Sequence, residues 1–303
     1  MGLELLFLGT GTSTGVPMIG CTCEVCQSPG PRDRRQRPSV LIQYPANATE
    51  ESSQHDAPAS RDASIRSVLI DTTPELRQQA LRHQLMRLDG VMITHAHMDH
   101  VVGLDDLRRF NAAMDEALAL YAEPSVHERL SEMFRHIFHP TTNINSSYVA
   151  SLIQSPLHVE ESFDLHGARW TPLRLMHGRL PVLGFRIDWQ NQSIAYCTDV
   201  STIPPETYPY LENLDVLVLD ALRFRHHPTH MTIEQALNVV EQVQPGEAYF
   251  THITHDIRHD LVEPELPAHV HLAYDDLRVS AARASAPAGS DQRGPVEPAG
   301  ESS

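Results

Sequence analysis

Residues 94–100 read Thr-His-Ala-His-Met-Asp-His, directly after the apolar run Gly90–Ile93. Four side chains of metal-ligating type, His95, His97, Asp99 and His100, therefore crowd into six residues at the end of an expected strand. Imidazole and carboxylate are the donors that first-row divalent ions take. From an extended turn, His95 and His97 can point the same way while Asp99 and His100 face a neighbouring position. That arrangement suits two metals roughly 3.5–4 Å apart. A solvated His-rich loop is the bland alternative, but it accounts neither for the apolar strand leading in nor for Gly103, which permits a tight exit. The segment needs a rigid sheet edge to stand on, and it restricts the folds available to the chain accordingly.

Further candidates stand at the ends of other apolar runs. His177 follows 170–176, Asp199 follows 193–197, and His252 and His255 follow 247–251. A lone His or Asp in such a place is usually structural. Their shared position after strands suggests ligands gathered at one edge of a scaffold. Short apolar runs at Leu3–Leu8, Val40–Tyr44, Val68–Ile70 and Val91–Ile93 predict early strands. Later strands are expected at 170–176, 182–188, 193–197, 214–219 and 247–251. Helices are expected at Pro74–Leu85, 104–113, 124–136 and 232–243. The last opens on Thr232-Ile233-Glu234-Gln235, a capping-box-like sequence. Sheets with interspersed helices point to a layered α/β sandwich.

Thr-His-x-His-x-Asp-His is the signature of the metallo-β-lactamase superfamily, and the chain resembles that family over 3–280. The resemblance implies an αβ/βα four-layer sandwich holding two divalent metals, zinc or manganese. It implies that His95, His97 and His177 hold one metal and that Asp99, His100 and His252 hold the other. Asp199 would bridge them, with a bridging hydroxide as nucleophile.

The N-terminal segment narrows the branch. A Gly/Thr/Ser loop, Gly9–Gly15, is followed by Cys21, Cys23 and Cys26. Three thiols in six residues, without a disulfide framework, read as three quarters of a structural zinc site. Buried small hydrophobes or redox-reactive thiols are the competing readings. Cys197, within a strand, reads as core. The combination is similar to the phosphoribosyl cyclic phosphodiesterases of the carbon–phosphorus lyase pathway, whose Cys-x-Cys-x-x-Cys zinc site is completed by a distant His. That resemblance implies His255 as the fourth ligand. His230-Met231-Thr232 resembles the family's general-acid motif, so His230 is the candidate to protonate a leaving alkoxide or steady developing charge on phosphate. His226 and His227 compete for that role. The Arg-rich run 32–37 is read as packing the zinc loop or pairing with acidic groups, with contact to a substrate phosphate as the alternative.

Composition limits the chemistry. The chain carries 39 Asp and Glu against 23 basic residues, all of them Arg, for a net charge of −16. Without Lys there is no Walker A loop and no Schiff base. The acidity argues against a nucleic-acid or anionic-membrane surface. With no basic leader at the start and cysteines crowded rather than paired, a cytoplasmic setting is expected. One hydrolase domain, 1–280, is expected to contain the zinc-binding loop 20–27 and a surface insertion at 46–63. A disordered tail, 281–303, follows. The resulting expectation is a dinuclear metal-dependent hydrolase of a small cyclic phosphodiester, such as a phosphoribosyl cyclic phosphate. Its partner would be that small molecule, with no membrane, nucleic acid not expected, and a homodimer suggested by the resemblance. The alternatives are a transfer-RNA 3′-processing endonuclease, a lactone or thioester hydrolase, and a cofactor-pathway accessory protein on the same fold. Proteins linked to pyrroloquinoline quinone biosynthesis bear on the last of these.

Overall fold

The computed structural model describes residues 2–46, 64–144 and 148–281. Apart from Ala46 and Ala281, the expected insertion and tail lie outside the described residues. The first half runs β1 (Glu4–Gly9), β2 (Ser39–Pro45), β3 (Ile65–Ile70), α1 (Leu76–Arg82), β4 (Gly90–Met92), α2 (Met98–Val101), α3 (Arg108–Met114), β5 (Leu118–Ala122), α4 (Pro124–Met133), α5 (Arg135–Phe138) and β6 (Leu152–Pro156). The second half runs β7 (Phe163–Leu165), β8 (Ala168–His177), β9 (Leu180–Trp189), β10 (Gln192–Cys197), β11 (Val216–Asp220), α6 (Ile233–Val243), β12 (Glu247–Thr251), α7 (His259–Val262), β13 (Val270–Leu272) and β14 (Arg278–Ser280). Two seven-stranded sheets result, ordered β14-β1-β2-β3-β4-β5-β6 and β13-β12-β11-β10-β9-β8-β7.

Strand periodicity explains the layering. Successive side chains of a strand face opposite ways. In β1, Leu5 and Phe7 enter the core between the sheets, while Leu6 and Leu8 enter the core beneath the helices. In β11, Val216 and Val218 face the first of these cores and Leu217 and Leu219 face the core under α6. Both strands are buried on both faces, so they read as unbroken apolar runs. Each fully buried Leu or Phe contributes about 1.5–3 kcal/mol. Helices on the outer face of each sheet complete the four-layer αβ/βα sandwich expected from the signature.

Three helices differ from their predicted bounds. The first begins two residues later than expected, because Thr72 and Thr73 are otherwise engaged. Thr72 N–H donates to the His100 carbonyl at 2.7 Å, and Gly103 N–H donates back to Thr72 at 2.9 Å. A Cβ at Gly103 would stand 2.2 Å from the Thr73 carbonyl, so only glycine allows this approach. The helix expected at 104–113 opens with a 3-10 segment, Val102–Leu107, before α3. The one expected at 124–136 breaks at Phe134, whose backbone (φ −113°, ψ 48°) leaves the helical region between α4 and α5. By contrast α6 starts as read: Thr232 accepts from Gln235 N–H, and the Gln235 side chain accepts from Thr232 N–H.

Candidate metal centre

Strand direction brings the candidates together. β10, β11 and β12 are parallel neighbours, and β8 runs the same way, since β9 is antiparallel to both β8 and β10. The ends of these strands deliver His177, Asp199, Asp220 and His252 to one edge. The opposing sheet supplies 94–100 from the end of β4, tied across by Leu183 N–H donating to the Thr94 carbonyl at 3.0 Å. Asp199 and His252 both adopt positive φ, 53° and 60°, in turns that aim their side chains inward.

The seven expected ligands converge. Candidate donor atoms of His95, His97 and His177 lie within 4.8 Å of one another, as do those of Asp99, His100 and His252. Asp199 stands between the groups: its Oδ2 is 3.2 Å from His100 Nε2 and its Oδ1 is 3.3 Å from His252 Nε2. His95, His100, Asp199 and His252 are buried, whereas His97 is exposed at the mouth. The Nε2 atoms of His100 and His252 are buried without any hydrogen bond. Such orphaned lone pairs are costly unless something else satisfies them, and a cation bound among these groups would do so. The donor set therefore fits divalent metal. Burial works against charge on Asp199, yet His252 and His100 beside it hold its carboxyl well below the ordinary range.

Two residues essential to this geometry escaped the sequence reading. Asp71, at the end of β3, accepts from Thr94 N–H (2.8 Å) and the Thr94 hydroxyl (2.8 Å), and pairs with His100 Nδ1 at 2.7 Å. It fixes the ring of His100 and the entry to the motif together. Asp220, at the end of β11, pairs with His230 Nδ1 at 2.6 Å. Both follow apolar runs, Val68–Ile70 and Val216–Leu219, and that position was the available signal.

His230 lies where the motif reading put it. Its ring stacks on His252 at 4.5 Å and meets His177 edge-on at 4.6 Å. It also comes within ligand reach of His177 and Asp199. With Nδ1 committed to Asp220, only Nε2 remains for other chemistry. Burial lowers the pKa of His230 and raises that of Asp220 well above the carboxylate range. His227 is held by the Thr229 hydroxyl at 3.1 Å, and His226 is exposed.

The three N-terminal thiols gather on His255. Its Nδ1 is 3.2, 3.4 and 3.5 Å from the sulfurs of Cys21, Cys23 and Cys26. The edges of a zinc tetrahedron with sulfur and nitrogen ligands are about 3.5 Å, so the residues fit a structural zinc. A backbone hydrogen bond from Cys26 lowers the Cys23 thiol to about 7, while burial raises Cys26 to about 11. Cys197 is fully buried in the core. The arginine run is spent on packing. Arg35, 2% exposed, donates to the carbonyls of Thr254 and Ile257 and to Asp33, and Arg37 pairs with Glu75. Arg32 stacks over Tyr274.

Residues 66–253 match the family model described as the Beta-lactamase superfamily domain. The chain belongs to the metallo-β-lactamase superfamily, whose members bind divalent metals. A solved structure described as a new diphosphatase from the PhnP family is similar, with 37% identity and a TM-score of 0.77 over 92% of this chain and 97% of that one. Zinc-bound PqqB from Methylobacterium extorquens shares the fold, at 17% identity and a TM-score of 0.70 over 91% of this chain and 99% of that one. An octanoyltransferase from Porphyromonas gingivalis is 36% identical over 282 residues, 91% of this chain. The chain spans about half the length of that curated relative, 51%. Fold and diphosphatase relative together support a hydrolase. No helix among the described residues is long and apolar enough to cross a membrane.

Proposed function

We propose that the chain is a dinuclear metal-dependent phosphodiesterase acting on a small, cyclic phosphodiester such as a phosphoribosyl cyclic phosphate. The observation that carries this reading is the His230–Asp220 pair, set against the rings of His177 and His252. A departing alkoxide needs a proton donor beside the metals, and His230 is the imidazole held in position to supply one. The diphosphatase relative, matched over nearly its whole length, supports chemistry at phosphorus. The octanoyltransferase name belongs to a protein twice as long. Transfer of an acyl group through a thioester would need an accessible thiolate. In this chain three cysteines converge on His255 and the fourth is buried.

His95, His97 and His177 would hold one ion and Asp99, His100 and His252 the other, with Asp199 between. Cys21, Cys23, Cys26 and His255 would hold a structural zinc. When bound, the active-site ions supply Lewis-acid polarisation of a phosphoryl oxygen and an activated water at neutral pH. The chain's own contribution is orientation and proton transfer. Asp71 fixes His100 and Thr94. Asp220 fixes His230, leaving Nε2 on the far side of the ring to donate to the leaving oxygen. With one proton shared across the 2.6 Å contact, residence on Asp220 leaves an Nε2–H donor on a neutral imidazole.

A panel of bis-aryl phosphodiester, 2′,3′-cyclic nucleotide, lactone and precursor transfer RNA tests the reading. Turnover of the first two is expected. Activity on the lactone alone would overturn it, and cleavage confined to the transfer RNA would move the chain to the endonuclease branch.

A further inference from the structure

The donor atoms of Cys21, Cys23, Cys26 and His255 all lie within 4.8 Å of one another. The three thiols are not alike. Cys21 and Cys23 are half-buried, so a small solute reaches them, whereas Cys26 is buried. Cys23 also opens a turn. Gln27 N–H donates to the Cys23 carbonyl at 3.1 Å, which closes residues 23–27 into one helical turn. Within that turn Cys26 N–H donates to the Cys23 sulfur at 3.4 Å. A backbone donor of this kind favours thiolate, and a residue three positions on lies on the same side of the turn. Cys21 precedes the turn, and its sulfur has no backbone donor among the described residues. The cluster also clamps the end of β12. His255 is three residues past His252, and between them Ile253 N–H donates to the Thr10 carbonyl at 2.9 Å while its own carbonyl accepts from Thr12 N–H at 3.2 Å. A change at the thiols thus reaches the metal edge through four residues of chain.

We infer that Cys23 is a site of oxidative modification, at which hydrogen peroxide closes a Cys23–Cys26 disulfide and loosens the strand edge that carries His252. The modification goes beyond the phosphodiesterase reading and takes from it only the structural zinc. Cys23 is the sulfur that meets the oxidant, and Cys26 is the resolving thiol beside it. The Cys23 sulfur gives an electron pair to one peroxide oxygen. The O–O bond breaks, and the departing oxygen takes up a proton and leaves as water. The Cys26 sulfur then attacks the sulfenic sulfur, the S–O bond breaks, and a second water leaves. The two sulfurs lose two electrons and the peroxide gains two. Of the four donors only Cys21 and His255 remain, fewer than a structural zinc site requires, so the ion departs and His255 is released. Cys197, fully buried, takes no part. Thiol exchange reverses the bridge, which makes the cluster a switch.

Treatment of the metal-loaded full chain with a small molar excess of hydrogen peroxide tests the site. Free thiols are then alkylated under denaturing conditions and the peptides are mapped by mass spectrometry, while a metallochromic dye follows zinc. A Cys23–Cys26 bridge, with Cys21 and Cys197 alkylated and one zinc per chain released, is expected. Hydrogen exchange at the Ile253 amide should quicken by about tenfold or more, and dithiothreitol with added zinc should restore it. No bridge, or one made to Cys21, overturns the assignment of Cys23 and Cys26. A Cys23–Cys26 bridge with unchanged exchange at Ile253 overturns the link to the metal edge. Cys26→Ser should stop at a Cys23 sulfenic acid that dimedone traps; should that variant not fold, the wild-type map decides alone. If a mercurial that blocks the thiols frees no zinc from the untreated chain, it is the structural-zinc reading that fails, and the mapped bridge and the Ile253 exchange still decide the modification.

Discussion

Among single residues, the buried carboxylates Asp71 and Asp220 orient imidazoles of the candidate metal centre. A partner of this kind behind a ligand typically changes metal affinity or activity 10–100-fold. Asp71→Asn should therefore weaken metal binding about 10–100-fold, read by competition with a chelating dye. Asp220→Asn should act on turnover instead, lowering it by about 10²-fold while the metal content, measured by plasma emission, stays at the wild-type value. Loss of metal from that variant would make Asp220 a structural support and not a proton partner. Asp275 gives a pH signature remote from the metals. It accepts from Thr10 N–H, the Thr10 hydroxyl and Gln36 N–H, and burial raises its pKa to about 7. Unfolded, the same group ionises near about 3.9. Between those values the folded state binds more protons, so the group's contribution to stability is whole below about pH 4 and is lost as pH rises through about 7. Urea midpoints measured across that window should fall with pH in the wild type, and Asp275→Asn should flatten the slope. These three carboxylates were not legible beforehand, since a single Asp after an apolar run is ordinary punctuation. His230 was legible because Met231-Thr232 follow it at a helix start.

The elements show where local pattern suffices and where it does not. β1, β11 and β12 carry enough apolar residues to be read directly, and the capping box located α6 to within a residue. Thr232→Ala should destabilise the fold by about 1 kcal/mol through loss of that cap, measurable as a lower urea midpoint. β5, β6, β7, β13 and β14 were not expected. They are three to five residues long, and partners distant in sequence define them. Residues 252–255 serve both candidate sites at once: His252 faces Asp199 and His255 faces the thiols. Ile253 between them exchanges hydrogen bonds with the loop after β1, donating to the Thr10 carbonyl (2.9 Å) and accepting from Thr12 N–H (3.2 Å). Cys21→Ser should remove one zinc per chain and lower the melting temperature while the dinuclear pair remains loaded. Loss of all metal would mean that the thiols hold the whole strand edge in place.

For the whole molecule, the four-layer architecture followed from one heptapeptide and its resemblance, because that motif works only at the edge of a rigid sheet. What the sequence could not display was the depth of the site, since burial of His95, His100 and His252 depends on how two sheets close over one another. The net charge of −16 also takes on a location. No carboxylate lines the cavity beside His230.

The cluster of Cys21, Cys23, Cys26 and His255 has a consequence for how the chain is made. Cys21 is separated from His255 by 234 positions. At about 5–20 residues per second, a ribosome needs roughly 10–50 s to travel between them. Throughout that interval a nascent chain carries three thiols without His255, the imidazole they converge on in the folded protein. Zinc supply and oxidant level during translation, more than after it, should therefore set the yield of active protein. Cultures depleted of zinc before induction should give a lower yield of active protein, whereas depletion after induction should do little harm.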